Sequence, residues 1–182
     1  MRIIGNTSPD TGEPPMEQNA MMDAWIKASS PCEEHAKLEP MVGSWDAQTS
    51  VWFGPGDPMV TTGKVVKQWA LDKRFLLQDY DGEETPMGRF FGKGTLGYSN
   101  LAKRYESLWI DCMSTAMLFQ TGNWDRDALV LVGDQHESIS LGLVRVRSVT
   151  RIVSGDRHTF ENFVTGPDGN EMRTLEVIYT RV

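Results

Sequence analysis

The chain has 182 residues, of which 25 are acidic and 18 basic, giving a formal net charge of -7; 40% are hydrophobic. A chain of this size buries roughly 70% of its unfolded surface, so a single ordinary domain is expected to fold without disulfides or a structural metal. Two cysteines, Cys32 and Cys112, are too few for a disulfide scaffold, and the acidic balance argues against nucleic acid or an anionic membrane as a partner.

Residues 1–15 hold one apolar pair, Ile3-Ile4, among Asn, Thr, Ser, Pro, Asp, Gly and Glu, a composition read as a flexible tail and not as a signal peptide. No run reaches the roughly 18 apolar residues of a membrane span, so a cytoplasmic location is the expectation. Residues 16–40 read as a helical cover. Met21, Met22, Trp25 and Ile26 recur at helical spacing over 16–29, and Pro31 stops that helix. A second short turn is expected from Cys32 to Glu39, with Ser30 as its cap and Pro40 as its end.

From residue 41 to 182 the pattern changes to runs rich in Val, Thr, Trp, Tyr and Phe, separated by turn residues at hairpin spacing. Turns are expected at Gly54–Pro58, Leu71–Lys73, Asp81-Gly82, Ser99-Asn100, Cys112–Ser114, Asp125-Arg126, Glu137-Ser138, Ser154–Asp156 and Gly166–Asn170. These separate about ten strands. The gaps are too short for crossover helices, which excludes a parallel α/β sheet, and a meander of that length avoids exposed edges most economically by closing into an up-and-down antiparallel barrel. A two-sheet sandwich is the alternative. On the first strand Trp45, Ala47, Thr49, Val51 and Phe53 share one face. Tyr105, Ser107, Trp109 and Asp111 share another, as do Leu143, Arg145, Arg147, Val149 and Arg151, a mixture that suits a partly polar, hydrated lumen.

Gly43-Ser44-Trp45 opens the first long strand and resembles the Gly-x-Trp motif of lipocalins and their calycin relatives. That resemblance implies structural roles for Gly43 and Trp45, with the tryptophan plugging one barrel end and a late-strand arginine, here Arg181, packing over it. A wider set comprises Met22-x-x-Trp25, Glu34-His35, Leu71-Asp72-x-Arg74-Phe75-Leu76, Trp109-Ile110-Asp111, Val149-Thr150-Arg151-Ile152, His158-Thr159-Phe160-Glu161 and Tyr179-Thr180-Arg181. This set resembles the bacterial domain-of-unknown-function family 1579. The resemblance implies a calycin-like barrel and a bacterial source, and brings no reaction or ligand with it. Cys112 and Ala116 depart from the family pattern, which has Ser and Gly there.

The chemistry-bearing residues give no standard catalytic or metal motif. His35, His136 and His158 have no second His or Cys at ligand spacing, so no metal is expected. A related barrel family ligates haem through one histidine; nothing around His158 marks an axial-ligand pocket, and no cofactor is expected. His136 reads as exposed, and His35 as a structural residue holding the helix against the barrel. Arg145 and Arg147 read as solubilising an outer face, whereas Arg151 and Arg181 are expected inside, where with Tyr179 they would hold an acidic head group. Asp111 and Glu161 are candidate acid and base, with pairing to Arg147 or Arg151 the simpler reading for a buried carboxylate. No Gly-x-Ser-x-Gly elbow is present, and Cys112 reads as a buried hydrophobe. The glycines of Gly92-Lys93-Gly94 are expected to mark a bend or bulge.

Together these residues favour a binding protein that holds a small amphipathic or acidic hydrophobic ligand. Tyr98, Trp109 and Phe119 would form its walls, and Asp111, Arg151, His158, Glu161, Tyr179 and Arg181 its polar contacts. An enzyme using Asp111, His158 or Glu161 is the alternative, and a homodimeric interaction module built on the helix is a third reading.

Overall fold

The computed structural model describes residues 18–85, 88–136, 142–166 and 169–182. The chain divides into two units, Met1–Ser30 and Pro31–Val182. In the first, helix α1 spans Gln18–Ser29, matching the helical periodicity, and the hydroxyl of Ser30 caps its last turn by donating to the Ile26 carbonyl at 2.7 Å. Among the described residues no helix is long and apolar enough to cross a membrane.

The second unit is a closed antiparallel barrel of ten strands in simple up-and-down order, each paired with its sequence neighbours and β1 with β10. The strands are β1 Gly43–Val51, β2 Met59–Ala70, β3 Phe75–Gly82, β4 Phe91–Ser99, β5 Arg104–Asp111, β6 Leu118–Asp125, β7 Ala128–His136, β8 Leu143–Ser154, β9 Arg157–Thr165 and β10 Glu171–Arg181. Closure leaves no sheet edge, which is the reason a meander of this length is stable without a second sheet. The sandwich alternative therefore falls.

Most expected turns coincide with connections. One is displaced: Asp81 and Gly82 lie within β3, paired with Lys64 and Gly63 of β2, and the chain turns only after them. A Cβ on Gly82 would lie 2.7 Å from the Phe90 carbonyl, so this glycine serves close backbone approach and not a turn. The expected turn at Glu137-Ser138 lies outside the described residues.

The two ends of the barrel are built differently. At one end, β2–β3, β4–β5, β6–β7 and β8–β9 are joined by connections of two to four residues. Residues 31–42 pack over this end as α2, Glu33–Ala36, and a 3-10 turn, Glu39–Met41. Cys32, and not Ser30, begins α2: its backbone N–H donates to Nδ1 of His35 at 3.0 Å, the histidine ring folding back over the helix start in the place a Glu or Gln takes at the third position of a capping box. Pro40 sits inside the 3-10 turn, where its missing N–H costs no hydrogen bond. Leu38 and Met41 are buried from this segment, together with Leu76, Tyr105, Leu129 and Leu131 of the barrel. The Tyr105 hydroxyl donates to the Glu34 carbonyl at 2.7 Å and receives the Trp124 indole N–H at 3.0 Å. This end is the floor. The remaining neighbours, β1–β2, β3–β4, β5–β6, β7–β8 and β9–β10, have their connected ends at the other end of the barrel.

Candidate functional site

The Gly-x-Trp motif seals the floor from within. Trp45 is 1% exposed and donates its indole N–H to the Met41 carbonyl at 3.0 Å. The Arg181 guanidinium lies 4.1 Å above its ring and donates to the carbonyls of Val42, Pro40 and Gly155 at 2.9, 3.0 and 2.8 Å. Gly43 has φ +135°, and a Cβ there would fall 2.4 Å from Nη1 of Arg181. Glycine is required twice over, for the backbone angle and for the approach of the arginine.

Just inside this plug lies a buried polar cluster. Strand β2 alternates inward Gly63, Val65, Lys67 and Trp69 with outward Lys64, Val66 and Gln68, so the pleat turns Lys67 into the barrel. Its amine lies 2.8 Å from Nε2 of His158 and 4.0 Å from the centre of the Tyr179 ring. His158 stacks on Tyr179 with centroids 4.3 Å apart and meets the Trp45 ring edge to face, also at 4.3 Å. Lys67 and His158 come from strands separated by β1 and β10 in the barrel order; only closure brings them together. No ion pair among the described residues includes Lys67. Burial in these apolar surroundings pulls its amine down to about 7, because the charged form loses hydration without gaining a counter-charge. Burial, and then the positive charges of Lys67 and Arg181, hold the His158 imidazole down to about 2. The ring is thus neutral; Nε2 is hydrogen-bonded to Lys67, and the other nitrogen, Nδ1, is buried without a hydrogen-bond partner among the described residues. Burial also pushes the Tyr179 phenol upward, while Gln78 hydrogen-bonds it.

Above this cluster a cavity of about 320 Å³ runs along the barrel interior, with Lys67, Tyr179 and Gln78 in its lining. Leu76, Leu96, Leu129, Leu131 and Phe160 form much of its apolar wall. Polar contacts are grouped: Thr49 with the Tyr80 hydroxyl at 2.9 Å, and Ser148 with Gln120 and Asn162 at 2.8 and 2.6 Å. Toward the other end Trp109 lies flat against β4, where a Cβ on Gly92 would come 2.4 Å from the indole and one on Gly94 3.1 Å. The register through both glycines is regular, so they make room for Trp109 and form no bulge. The indole N–H donates to Oδ2 of Asp111 at 2.8 Å.

Of the residues singled out in the sequence, Trp109, Asp111 and Tyr179 line the cavity. Tyr98 packs at the floor, edge-on to Tyr105 at 5.0 Å and His35 at 5.9 Å. Phe119 is 49% exposed, because its neighbours Leu118 and Gln120 take the inward positions of β6. Arg151, expected inside, is on the outer face with Arg145 and Arg147. The three pair with Glu161, Asp134 and Glu171, since Val144, Val146 and Ser148 occupy the inward positions of β8. Glu161 is likewise outward and also pairs with Arg173 at 3.0 Å. Asp111, His158 and Glu161 thus stand at the far end of the cavity, under its floor and on the outer wall, and form no acid and base constellation. His158 is not part of the cavity lining, and its Nε2 is hydrogen-bonded to Lys67. Cys112 is exposed, because it follows the last residue of β5 in a loop at the barrel rim. His35 is buried and His136 exposed. Lys67 was missed; the signal for it was a lysine sharing strand parity with Val65 and Trp69.

A closed ten-stranded barrel with a plugged floor and a lined interior defines a calycin-like barrel protein. Residues 30–181 match DUF1579, a family of proteins of unknown function, and the chain belongs to that family. Among solved structures, Rv2717c from M. tuberculosis is similar, with a TM-score of 0.59 at 16% identity over 84% of this chain and 99% of that one. The S-type phycobiliprotein lyase CPES from Guillardia theta is similar with a TM-score of 0.55 at 11% identity, over 84% of this chain and 98% of that one. At such identities the likeness is one of fold. No curated protein matches the sequence.

Proposed function

We propose that the barrel is a carrier for a small amphipathic molecule whose apolar body lies along the leucine and phenylalanine wall and whose acidic head meets Lys67 at the floor. The observation that carries this reading is a fully buried amine in the lining of the cavity with no carboxylate to pair it. A buried ammonium left alone is costly, and a ligand carboxylate would supply both the missing charge and a hydrogen-bond acceptor. The cavity volume of about 320 Å³ sits at the small end of the roughly 300–1,000 Å³ typical of ligand sites, which suits a single medium-length chain or one ring system. The role given to arginine in the sequence reading passes to Lys67, with Tyr179 beside it.

Thermal unfolding in the presence of decanoic acid, decanol and decylamine tests the proposal. The acid is expected to raise Tm most and the amine least, with the preference for acid lost in Lys67→Met. Equal responses to all three, or none, would overturn it.

A further inference from the structure

We infer that Lys67 also captures carbonyl compounds, its amine condensing with an aldehyde-headed amphiphile in the cavity to give an imine. This rests on the cavity-binding reading above and adds a second head-group chemistry to it. Lys67 is the basic residue of the cavity lining, and among the described residues no carboxylate pairs with its amine. Its nitrogen lies 2.8 Å from Nε2 of His158 and 4.0 Å from the centre of the Tyr179 ring. No carboxylate holds it as an ammonium. Surface lysines of this chain differ: Lys37, Lys64, Lys73 and Lys93 pair with the carboxylates of Glu34, Asp46, Glu39 and Asp79. Desolvation without a counter-charge is the usual way a lysine is made nucleophilic near neutral pH, and the value of about 7 for Lys67 agrees with the geometry.

The step balances without an oxidant or reductant. The nitrogen lone pair forms a bond to the carbonyl carbon as the C=O π pair moves to oxygen. A proton then passes from that nitrogen to the oxygen, giving the neutral carbinolamine. The nitrogen lone pair next forms C=N as the hydroxyl leaves, taking the second nitrogen proton, as water. The floor sealed by Trp45 and residues 31–42 limits the water that would reverse the reaction.

The test uses the full chain, decanal at near-stoichiometric concentration and neutral pH, and sodium cyanoborohydride to reduce any imine to a stable secondary amine. Peptide mapping by mass spectrometry is expected to find the adduct on Lys67 over each of Lys27, Lys37, Lys64, Lys73, Lys93 and Lys103 by about tenfold. Excess decanol, which fills the cavity and has no carbonyl, is expected to suppress labelling at Lys67 alone. Labelling spread evenly over the surface lysines, or absent from Lys67, would overturn imine capture. If decanoic acid still raises Tm in that case, the carrier reading stands; if it does not, both fall. Because the map is read on the unsubstituted protein, the result does not depend on the folding of a variant.

Discussion

The floor and the opposite end of the barrel obey the same strand pairing and differ in almost everything else. At the floor, short hairpins and the 31–42 segment bring backbone carbonyls under Arg181 and the Trp45 indole, and Leu38, Met41 and Trp45 are buried, while Leu71, Leu101 and Val153 of the hairpins stay exposed. At the other end the connections are longer, and Phe53, Phe91, Met113, Met117 and Leu143 are exposed. A rigid floor can hold an uncompensated amine in one place, since every neighbour of Lys67 is itself fixed by packing. Stability is thus concentrated at one end and tolerance at the other.

The largest test of that contrast is Trp45→Ala. It removes a fully buried indole, its bond to Met41, the platform for Arg181 and the partner of His158. A loss of about 3–5 kcal/mol in urea unfolding is expected; a loss below about 1 kcal/mol would mean the floor is not where the stability lies.

The second test is pH-dependent and belongs to Lys67. Its folded value of about 7 lies below the ordinary lysine value of 10.5, so between those values the unfolded chain binds more protons and stability rises with pH. Below about pH 7 the lysine is charged in both states and its full burial cost is present, with no further slope from this group. Compared with Lys67→Met, the unsubstituted protein is expected to gain about 3 kcal/mol between pH 7 and pH 10. Parallel stability profiles for the two proteins would refute the depressed amine, whatever their difference at any single pH. The smallest effect is expected at the other end. Phe53→Ser at a 66% exposed position should change unfolding free energy by no more than about 0.5 kcal/mol, and a large loss there would erase the contrast.

How far the sequence could be read follows from which features are local. Strand number, hairpin spacing and the Gly43-x-Trp45 plug are encoded in contiguous residues, and they reappear in the barrel. The inward face of β1 was legible because Trp45, Ala47 and Thr49 alternate cleanly with Asp46 and Gln48. On β8 Arg145 and Arg147 alternate with Val144 and Val146 but Val149 shares the arginines' parity, and parity alone does not say which set faces inward. Arg151 was therefore placed inside when its partner, Glu161, stands on the same outer wall. Cys112 was read as buried from residue type, while its place after the end of β5 leaves it exposed.

By itself, then, the amino-acid order determined about ten antiparallel strands at hairpin spacing, because strand periodicity and turn chemistry act over a few residues at a time; the Gly43-x-Trp45 plug followed from its resemblance to the lipocalin motif. Only the tertiary structure decided what lies inside. Lys67, His158 and Tyr179 are distant in sequence and lie on three different strands; they become one site when β1 pairs with β10. Closure takes water from the amine without supplying a carboxylate, and that loss of hydration gives the lysine the chemistry the sequence did not announce.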